Sequence, residues 1–484
     1  MSPPLGIMRL AAWLRNQDHT LRIWDLRLEP EDFSRVAADL IEFQPEIVGL
    51  SACTPEADSL HRMANLVKSI PSVRSVVCGG PHANAYPESI LADPCIDYLV
   101  LGEGERTFSE LVQVIDTGQG RNIAIPGTGW QSGGNIFLGA RRDFITDLDE
   151  LPFPAWDLID LPRYFRARRS AMLKPKKYAS ILTSRGCPYQ CIFCHGLMGR
   201  KFRTRSLGNV FQEMSWLVDK YGIEEFQVDD DCFNLDRDRV HDFCEQVGKK
   251  NIRASLVFPN GLRTDLLSRE ELRELRAAGT EMIAVAVETA STRLQKLIGK
   301  NLDLERVKEA VLECRRLGIA TLGFFIMGFP TETRDEMRMT IRWAIRSKLD
   351  LATFFLLNPF QGTEVFKRFV REDRNPKEKK WENRFGYFIT DWNLSKVPDR
   401  KLARLFRKAY RRFFLWHFSR ILSGAVRRNF SIFRGFRVFL DRAIHFLPLR
   451  RAILSRFGKK IPVPGPRLAW IDSFMNWAIL GNWH

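Results

Sequence analysis

Thr183-Ser184-Arg185-Gly186-Cys187-Pro188-Tyr189-Gln190-Cys191-Ile192-Phe193-Cys194 is the stretch on which this chain turns. Its cysteines stand at the spacing C-x3-C-x2-C. Just before it, Tyr178-Ala179-Ser180-Ile181-Leu182-Thr183 reads as a short buried strand, so the cysteines ride a loop that leaves a strand. Three thiolates on one short loop can hold three irons of a [4Fe–4S] cube. The fourth iron then has no protein ligand nearby and is open to a small molecule. A zinc site usually asks for four protein ligands in two separated pairs. The nearby fourth residue is His195, whose place directly beside Cys194 would strain chelation of the same ion. A disulfide fits poorly in a chain with nine cysteines and no secretory signal.

This loop resembles that of the radical S-adenosylmethionine (SAM) superfamily, which carries an aromatic residue, here Phe193, before the last cysteine. The resemblance implies that Cys187, Cys191 and Cys194 bind the cluster and that Phe193 belongs to the SAM site. The open iron would be chelated by the amino and carboxylate groups of SAM. One electron would cleave the sulfonium to methionine and a 5′-deoxyadenosyl radical.

At 484 residues the chain is long enough for two or three domains, and 45% hydrophobic content is that of a globular protein. A net charge of +17 points to an anionic partner: nucleic acid, an acidic substrate or a membrane surface. No run of about 18 uninterrupted apolar residues occurs, so no transmembrane helix is expected. The N-terminus lacks a basic region followed by an apolar core, so no signal peptide is expected, and the cysteines suit a reducing cytoplasm.

Residues 1–140 alternate helix and strand: helices over 5–16, 31–43, 58–69 and 107–116, strands over 21–25, 47–52, 75–80 and 98–105. The alternation predicts a parallel, doubly wound sheet, whose ligands sit at the carboxyl ends of the strands. Three loops fall there: Ser51-Ala52-Cys53-Thr54, Gly79-Gly80-Pro81-His82-Ala83 and Gly102-Glu103-Gly104-Glu105. Small residues let a flat ligand approach the backbone closely. Each loop by itself reads as an ordinary turn, and His82 as a satisfied surface histidine. Together with Pro3-Pro4-Leu5-Gly6 they resemble the cobalamin-binding domain of one radical SAM subfamily. That likeness implies cobalamin contacts from Ser51, Thr54, Gly79, Gly80, His82, Gly102, Glu103 and Gly104. No D-x-H-x-x-G segment is present, so no histidine is expected below the cobalt. The family's first strand normally precedes Pro-Pro-Leu-Gly, so this Rossmann-like domain is expected to lack one strand.

Residues 141–177 read as a linker, with Leu151-Pro152-Phe153-Pro154-Ala155-Trp156-Asp157 as a packed interdomain strap. Residues 178–375 carry six strand–helix units, with strands over 178–183, 225–229, 254–258, 282–287, 321–327 and 351–356. Helices over 208–220, 237–247, 268–278, 304–317 and 334–347 lie between them. This predicts a partial (β/α)6 TIM-like barrel with its site at the C-terminal strand ends. The ends are polar. In Asp229-Asp230-Asp231 one carboxylate, Asp229 or Asp231, is placed to receive the SAM amino group, the others to cap the next helix. The resemblance puts Glu288 against the ribose hydroxyls. Gly328 would allow close approach of adenine or methionine, and Arg263 could pair with a carboxylate. Each of these residues, taken singly, is as readily a cap or a surface ion pair. The cations of Gly199-Arg200-Lys201-Phe202-Arg203-Thr204-Arg205-Ser206 either lower the cluster's net charge or face solvent.

Residues 376–484 turn basic and aromatic, as in Arg404-Leu405-Phe406-Arg407-Lys408-Ala409-Tyr410-Arg411-Arg412-Phe413-Phe414-Leu415-Trp416, with more of the same over 427–430 and 433–439. Three readings stand: an amphipathic helix on an anionic membrane, a single-strand nucleic-acid channel, or a helical cap with a solvated basic face. The first is preferred and nucleic acid is not the expected partner.

The sequence thus points to a cobalamin-dependent radical SAM enzyme methylating an unactivated carbon of a hydrophobic substrate such as a lipid, isoprenoid or tetrapyrrole. Its cofactors would be a [4Fe–4S] cluster, SAM and cobalamin. A flavodoxin- or ferredoxin-type reductant would supply electrons, and the place would be the cytoplasm, at the inner face of the membrane. Oxidative ring closure and carbon–carbon coupling use the same architecture. RNA methylthiolation would need a second cysteine trio, for which Cys53, Cys78 and Cys95 sit in or after three different elements. A non-catalytic iron–sulfur carrier would not need the polar strand ends.

Overall fold

The computed structural model describes residues 2–29, 33–118, 125–167, 176–370 and 392–422. The first sheet contains β1 (Ile47–Ser51), β2 (Ser75–Gly79), β3 (Tyr98–Val100), β4 (Thr128–Ser132) and β5 (Asn135–Leu138), in that order. The first three strands are parallel and the last two antiparallel. The central strand β2, Ser75-Val76-Val77-Cys78-Gly79, is buried on both faces, as suits a parallel sheet. Val76 and Cys78 enter one core with Leu60 and Met63, while Val77 enters the other with Val100 and Leu111.

Two features differ from the sequence reading. The segment over 21–25 is not a strand, because its side chains bind outward rather than pairing in a ladder. Trp24 donates to Asp39 (3.2 Å), Arg22 lies over Phe43, and Asp25 accepts from the Tyr164 hydroxyl (2.7 Å). The hairpin β4–β5 was not expected. It turns on Gly133 and Gly134, both at positive φ (56° and 78°), as a tight two-residue hairpin requires.

The second sheet is wholly parallel. In chain order come β6 (Tyr178–Ile181), a two-stranded ribbon β7 (Ser184–Arg185) and β8 (Arg203–Thr204), then β9 (Glu225–Val228), β10 (Ser255–Phe258), β11 (Thr280–Glu288), β12 (Ala320–Met327) and β13 (Leu351–Leu356). The large sheet has the order β6-β9-β10-β11-β12-β13, the arrangement of a partial barrel. Ser268 and Thr333 open two of its helices through capping boxes with Glu271 and Glu336. Trp156 is fully buried in the barrel core, and the Ala155 amide bonds the Met8 carbonyl, so the chain is packed tightly at this point.

The last described helix, Asp399–Leu422, changes the reading of the tail. Leu402, Leu405, Phe406, Ala409 and Phe413 are buried in the barrel core. Phe406 and Phe413 are therefore not offered to a bilayer. Tyr410 takes both backbone groups of Phe354 in β13: its hydroxyl donates to the carbonyl (2.7 Å) and accepts from the amide (3.0 Å). Arg404, Arg407, Arg411 and Arg412 remain exposed, so over 399–417 the helix is a cap with a basic outer face. The basic segments over 427–430 and 433–439 lie outside the described residues. Among the described residues, no helix is long and apolar enough to cross a membrane.

Candidate functional site

The cysteine loop leaves β6 at the C-terminal face of the barrel and is pinned at many points. The Cys187 amide bonds the Gly199 carbonyl (3.2 Å) and the Cys194 amide the Cys191 carbonyl (3.0 Å). Between them Ile192 bonds through its amide to the Ile298 carbonyl (3.0 Å) and through its carbonyl to the Val365 amide (2.8 Å). Gly299 stands at φ 70° where an added Cβ would lie 2.9 Å from the Gln190 carbonyl oxygen, so the loop rests on backbone. Phe193 packs on Phe329, one residue past Gly328, with ring centroids 5.7 Å apart.

Cys187, Cys191 and Cys194 are free thiols. Burial pushes the Cys191 and Cys194 thiols up, while Cys187 is drawn down by a hydrogen bond from the Cys232 thiol. Lys300, Arg263 and Arg200 bring positive charge to the loop. Among the described residues no three of His, Cys, Asp and Glu converge on a single ion. A cluster does not ask for convergence: each thiolate takes its own iron, and the chain need supply only the thiols and neighbouring charge. The donor set fits a cluster on those counts. His195 turns away to Phe360 (5.5 Å), and burial holds its pKa down at about 4.

The three aspartates after β9 divide their work. Asp230 is buried and accepts from the Thr183 amide, the Thr183 hydroxyl and the Ser184 hydroxyl, each at 2.6 Å. Asp231 accepts from the Gly186 amide (3.2 Å), and Asn260 bonds the Asp229 carbonyl (2.7 Å). The run thus braces the start of the cysteine loop. Arg263 is already held: its guanidinium bonds both oxygens of Asp265 (2.9 and 2.7 Å) and lies 4.2 Å over the Tyr189 ring. Glu288 ends β11 at a register shift with φ 63° and pairs with Lys300 (2.7 Å). Such strain marks sites the surroundings over-determine. Gly328 sits at φ 99° with no atom nearer than 3.8 Å to its missing Cβ, leaving room beside it.

The three loops expected to line a cobalamin site lie side by side, because β1, β2 and β3 are neighbours. Ser51 and Gly102 are exposed, and Gly79 and Gly80 half-buried. Gly80 stands at φ 82° with an added Cβ only 2.3 Å from the Ser51 hydroxyl, so the loop closes down on glycine alone. Asn84 fastens two of the loops, donating to the Gly80 carbonyl (2.9 Å) and accepting from the Gly102 amide (2.8 Å). These small, open and braced loops fit a large flat ligand.

Four of the residues expected at the cobalamin face lie elsewhere. His82 is neither a surface residue nor a loop-lining one: it is fully buried, its Nδ1 3.4 Å from the Thr54 hydroxyl and its ring against Tyr86. Thr54 is buried with it. Glu103 turns from the loop mouth to a buried ion cluster, bonding Arg185 (2.8 Å), Arg203 (3.0 Å) and the Ile145 amide (2.8 Å). Gly104 meets Leu10, not open space. Of the cations after the cysteine loop, Arg203 and Arg205 are buried on Glu103 and Glu213.

Sequence reasoning missed Arg185, Glu105, Asn84, Asp230's bracing role and Cys232. The opposite charges of the Arg185 and Glu103–Glu105 loops were the available signal. Nothing in the spacing says that residues so far apart meet.

Two family models match: the radical SAM superfamily over residues 181–344 and the B12 binding domain over residues 2–112. An uncharacterized methyltransferase of Pyrococcus horikoshii is 31% identical over 85% of this chain and 88% of its own length. A cytidylyl-2-hydroxyethylphosphonate methyltransferase of Streptomyces wedmorensis is 28% identical over 76% of this chain and 78% of its own. An anaerobic magnesium-protoporphyrin IX monomethyl ester cyclase of Rubrivivax gelatinosus is 26% identical over 85% and 74%. Among solved structures, the radical SAM methyltransferase TsrM of Kitasatospora setae, with cobalamin and a [4Fe-4S] cluster bound, has the same fold. Its TM-score is 0.64, at 20% identity, over 75% of this chain and 74% of that one.

Proposed function

The chain belongs to the cobalamin-dependent radical SAM methyltransferase family, and from that premise we propose that it methylates an unactivated carbon of a hydrophobic small molecule. Its cofactors are a [4Fe–4S] cluster, SAM and cobalamin, the groups that its two domain types carry. When bound, these groups supply a substrate radical and the methyl group that meets it. The observation that carries the reading is the joining of the two halves. The cysteine loop and the open loops of the first sheet are tied through Arg185 and Glu105 (2.6 Å), and Tyr86 accepts from the Gln361 amide (3.5 Å).

The chain's own residues hold and exclude. Cys187, Cys191 and Cys194 would hold the cluster, with Arg200 and Lys300 offsetting its charge. Phe193, Gly328 and Glu288 would line the SAM side, where Glu288, paired with Lys300 (2.7 Å), would accept from ribose hydroxyls. Ser51, Gly79, Gly80 and Gly102 offer the cobalamin surface. A lipid, isoprenoid or tetrapyrrole is the substrate class. The cyclase relative favours a second reading, oxidative ring closure, on the same site. The exposed arginines of the last helix support cytoplasmic placement at an anionic membrane surface, and a flavodoxin- or ferredoxin-type donor supplies the electron.

The test is anaerobic turnover of the reconstituted, reduced protein with SAM and panels of such substrates. Methylation gives a product one methylene heavier together with 5′-deoxyadenosine. A product two hydrogens lighter establishes ring closure instead. Absence of 5′-deoxyadenosine with a full cluster and bound SAM overturns both.

A further inference from the structure

The outer flank of the barrel carries a second run of cations, on a helix the sequence reading left without a role. In the helix Arg334–Arg346, Met337, Thr340, Ile341 and Ala344 are buried. Arg334, Arg338 and Arg342 follow one another at four-residue steps, so they share one stripe away from that core. Arg334 and Arg342 are exposed, and the Arg338 side chain is 40% exposed. This helix covers β12 and packs along the last helix, Asp399–Leu422, which covers β13. The two share one core: Met337, Ile341 and Ala344 are buried in the same cluster as Leu402, Leu405 and Ala409. Lys348, just past the end of the first helix, lies over the Trp416 ring of the second (5.6 Å). The last helix repeats the spacing, with Arg400, Arg404, Lys408 and Arg412 again at four-residue steps.

Like charges one turn apart repel, so neither run stabilises its own helix. The runs also feel each other: Arg412, and with it Arg338, Arg411 and Arg334, holds the Lys408 ammonium below its ordinary range. Asp335 pairs with Arg338 (3.2 Å), but in solvent, where such a pair is worth little. The fold itself thus makes no use of this concentration of charge. Two apolar side chains stand exposed among the cations, Met339 (43%) and Leu415 (58%).

We infer that the helices Arg334–Arg346 and Asp399–Leu422 together form one docking face for an anionic lipid bilayer. The inference rests on the membrane placement proposed above and adds the second helix to it. With two helices engaged, the protein lies on the bilayer by the flank outside β12 and β13, not by a single helix that could roll. The long cationic side chains reach the lipid phosphates, and Met339 and Leu415 enter the boundary between headgroups and acyl chains. Charge spread over two helices suits a broad anionic surface. Single-stranded nucleic acid asks instead for open aromatic rings on which bases stack. Here Phe406 and Phe413 are buried and Trp416 lies under Lys348.

The test is sedimentation of the full chain with vesicles of phosphatidylcholine and phosphatidylglycerol, with circular dichroism as the folding control. The triple variant Arg334→Glu, Arg338→Glu, Arg342→Glu leaves the last helix untouched. It should bind at least about tenfold more weakly than wild type, since each cation near the surface contributes. Wild-type binding to the vesicles with an unchanged triple variant overturns the two-helix face and leaves the last helix as the contact. No binding by wild type overturns the membrane placement itself, and this inference with it. If the triple Glu variant does not fold, Gln at the same three positions decides: weaker binding supports the face, unchanged binding overturns it. Met339→Ser with Leu415→Ser, which keeps every charge, should lower the fraction still bound at high salt. No change there means that nothing enters the bilayer and overturns docking. Tighter binding of a single-stranded RNA than of the vesicles at the same salt overturns it too.

Discussion

Arg185, two residues ahead of the first cysteine of the loop, is locked to Glu105 on the first sheet: Nη2 stands 2.6 Å from Oε1, with the two side chains 5% and 6% exposed. Desolvating both charges offsets much of their attraction, so the pair is weak evidence of net stability. Removing one partner leaves a bare buried charge. Arg185→Ala should therefore lose about 3–5 kcal/mol in urea unfolding, and Arg185→Met with Glu105→Leu should recover most of it. A single variant within about 1 kcal/mol of wild type would show that water already reaches the pair.

Replacing Cys187, Cys191 or Cys194 with Ala should abolish the brown chromophore and all SAM cleavage. The same change at Cys53, Cys244 or Cys314 should leave both largely intact. Cys244 and Cys314 are buried away from the loop in the barrel core, where truncation acts on packing alone. A full four-iron count in Cys191→Ala would sink the assignment.

Hydroxocobalamin should bind at about one equivalent, as expected of a single doubly wound site. Gly80→Val should weaken that binding by at least about tenfold, or ~1.4 kcal/mol, because the new side chain meets Ser51 at a positive φ. Titration by absorbance would read it, with far-ultraviolet circular dichroism as the folding control. Unchanged affinity in a folded Gly80→Val would place cobalamin elsewhere.

Glu332 gives a pH prediction of definite sign. It is fully buried, and burial pushes its pKa up to about 8, although the Gly328 and Phe329 amides donate to it. The folded state keeps this proton after the unfolded chain has released its own near the ordinary value. Stability from this group is thus complete at acid pH, falls as pH rises towards about 8, and levels off above it. The loss should be a few kcal/mol at most. Unfolding at pH 5.5 and pH 8.5 should show the slope in wild type and a flatter one in Glu332→Gln. Equal slopes would mean that the carboxyl ionises freely.

Much of this was legible beforehand, and for a physical reason. Barrel strands such as Thr321-Leu322-Gly323-Phe324-Phe325-Ile326-Met327 are buried on both faces, so each writes itself as an apolar run closed by a polar or glycine turn. The cysteine loop is legible because its ligands are local in sequence. What spacing could not give was the partner of each charge. Arg185 and Glu105, and Asp230 and Thr183, meet only after the sheets form. Arg263 and Glu103 were read as ligand contacts because a charge at a strand end looks the same whether or not another charge already holds it. The tail hid its partner in the same way: Phe406 and Phe413, now buried in the barrel core, suit a bilayer and a barrel flank equally when read from the sequence.

Vesicle binding should reflect that flank. Arg404, Arg407, Arg411 and Arg412 are exposed while the buried rings are not available, so adsorption to anionic liposomes should be electrostatic. Each cation contributes on the order of 1 kcal/mol near the surface, screened by salt. Sedimentation with the vesicles should fall with added salt and fall further in the four-fold Arg→Glu variant. Indifference to anionic vesicles with tight RNA binding at the same salt would return an RNA partner to the front.

The Tyr410 hydroxyl satisfies both main-chain groups of Phe354 on the outermost strand of the six-stranded sheet. An open barrel has rims, and Thr353-Phe354-Phe355-Leu356 on this one is uncharged, aromatic and rich in strand formers. Stripped of its cover, such a rim is a template for a like strand from another molecule. A chain cut before Asp399 should therefore not yield a smaller, better-behaved enzyme but material that associates rim to rim during folding. Tyr410→Phe, which removes only the hydroxyl, should move the full-length protein part of the way towards the same end.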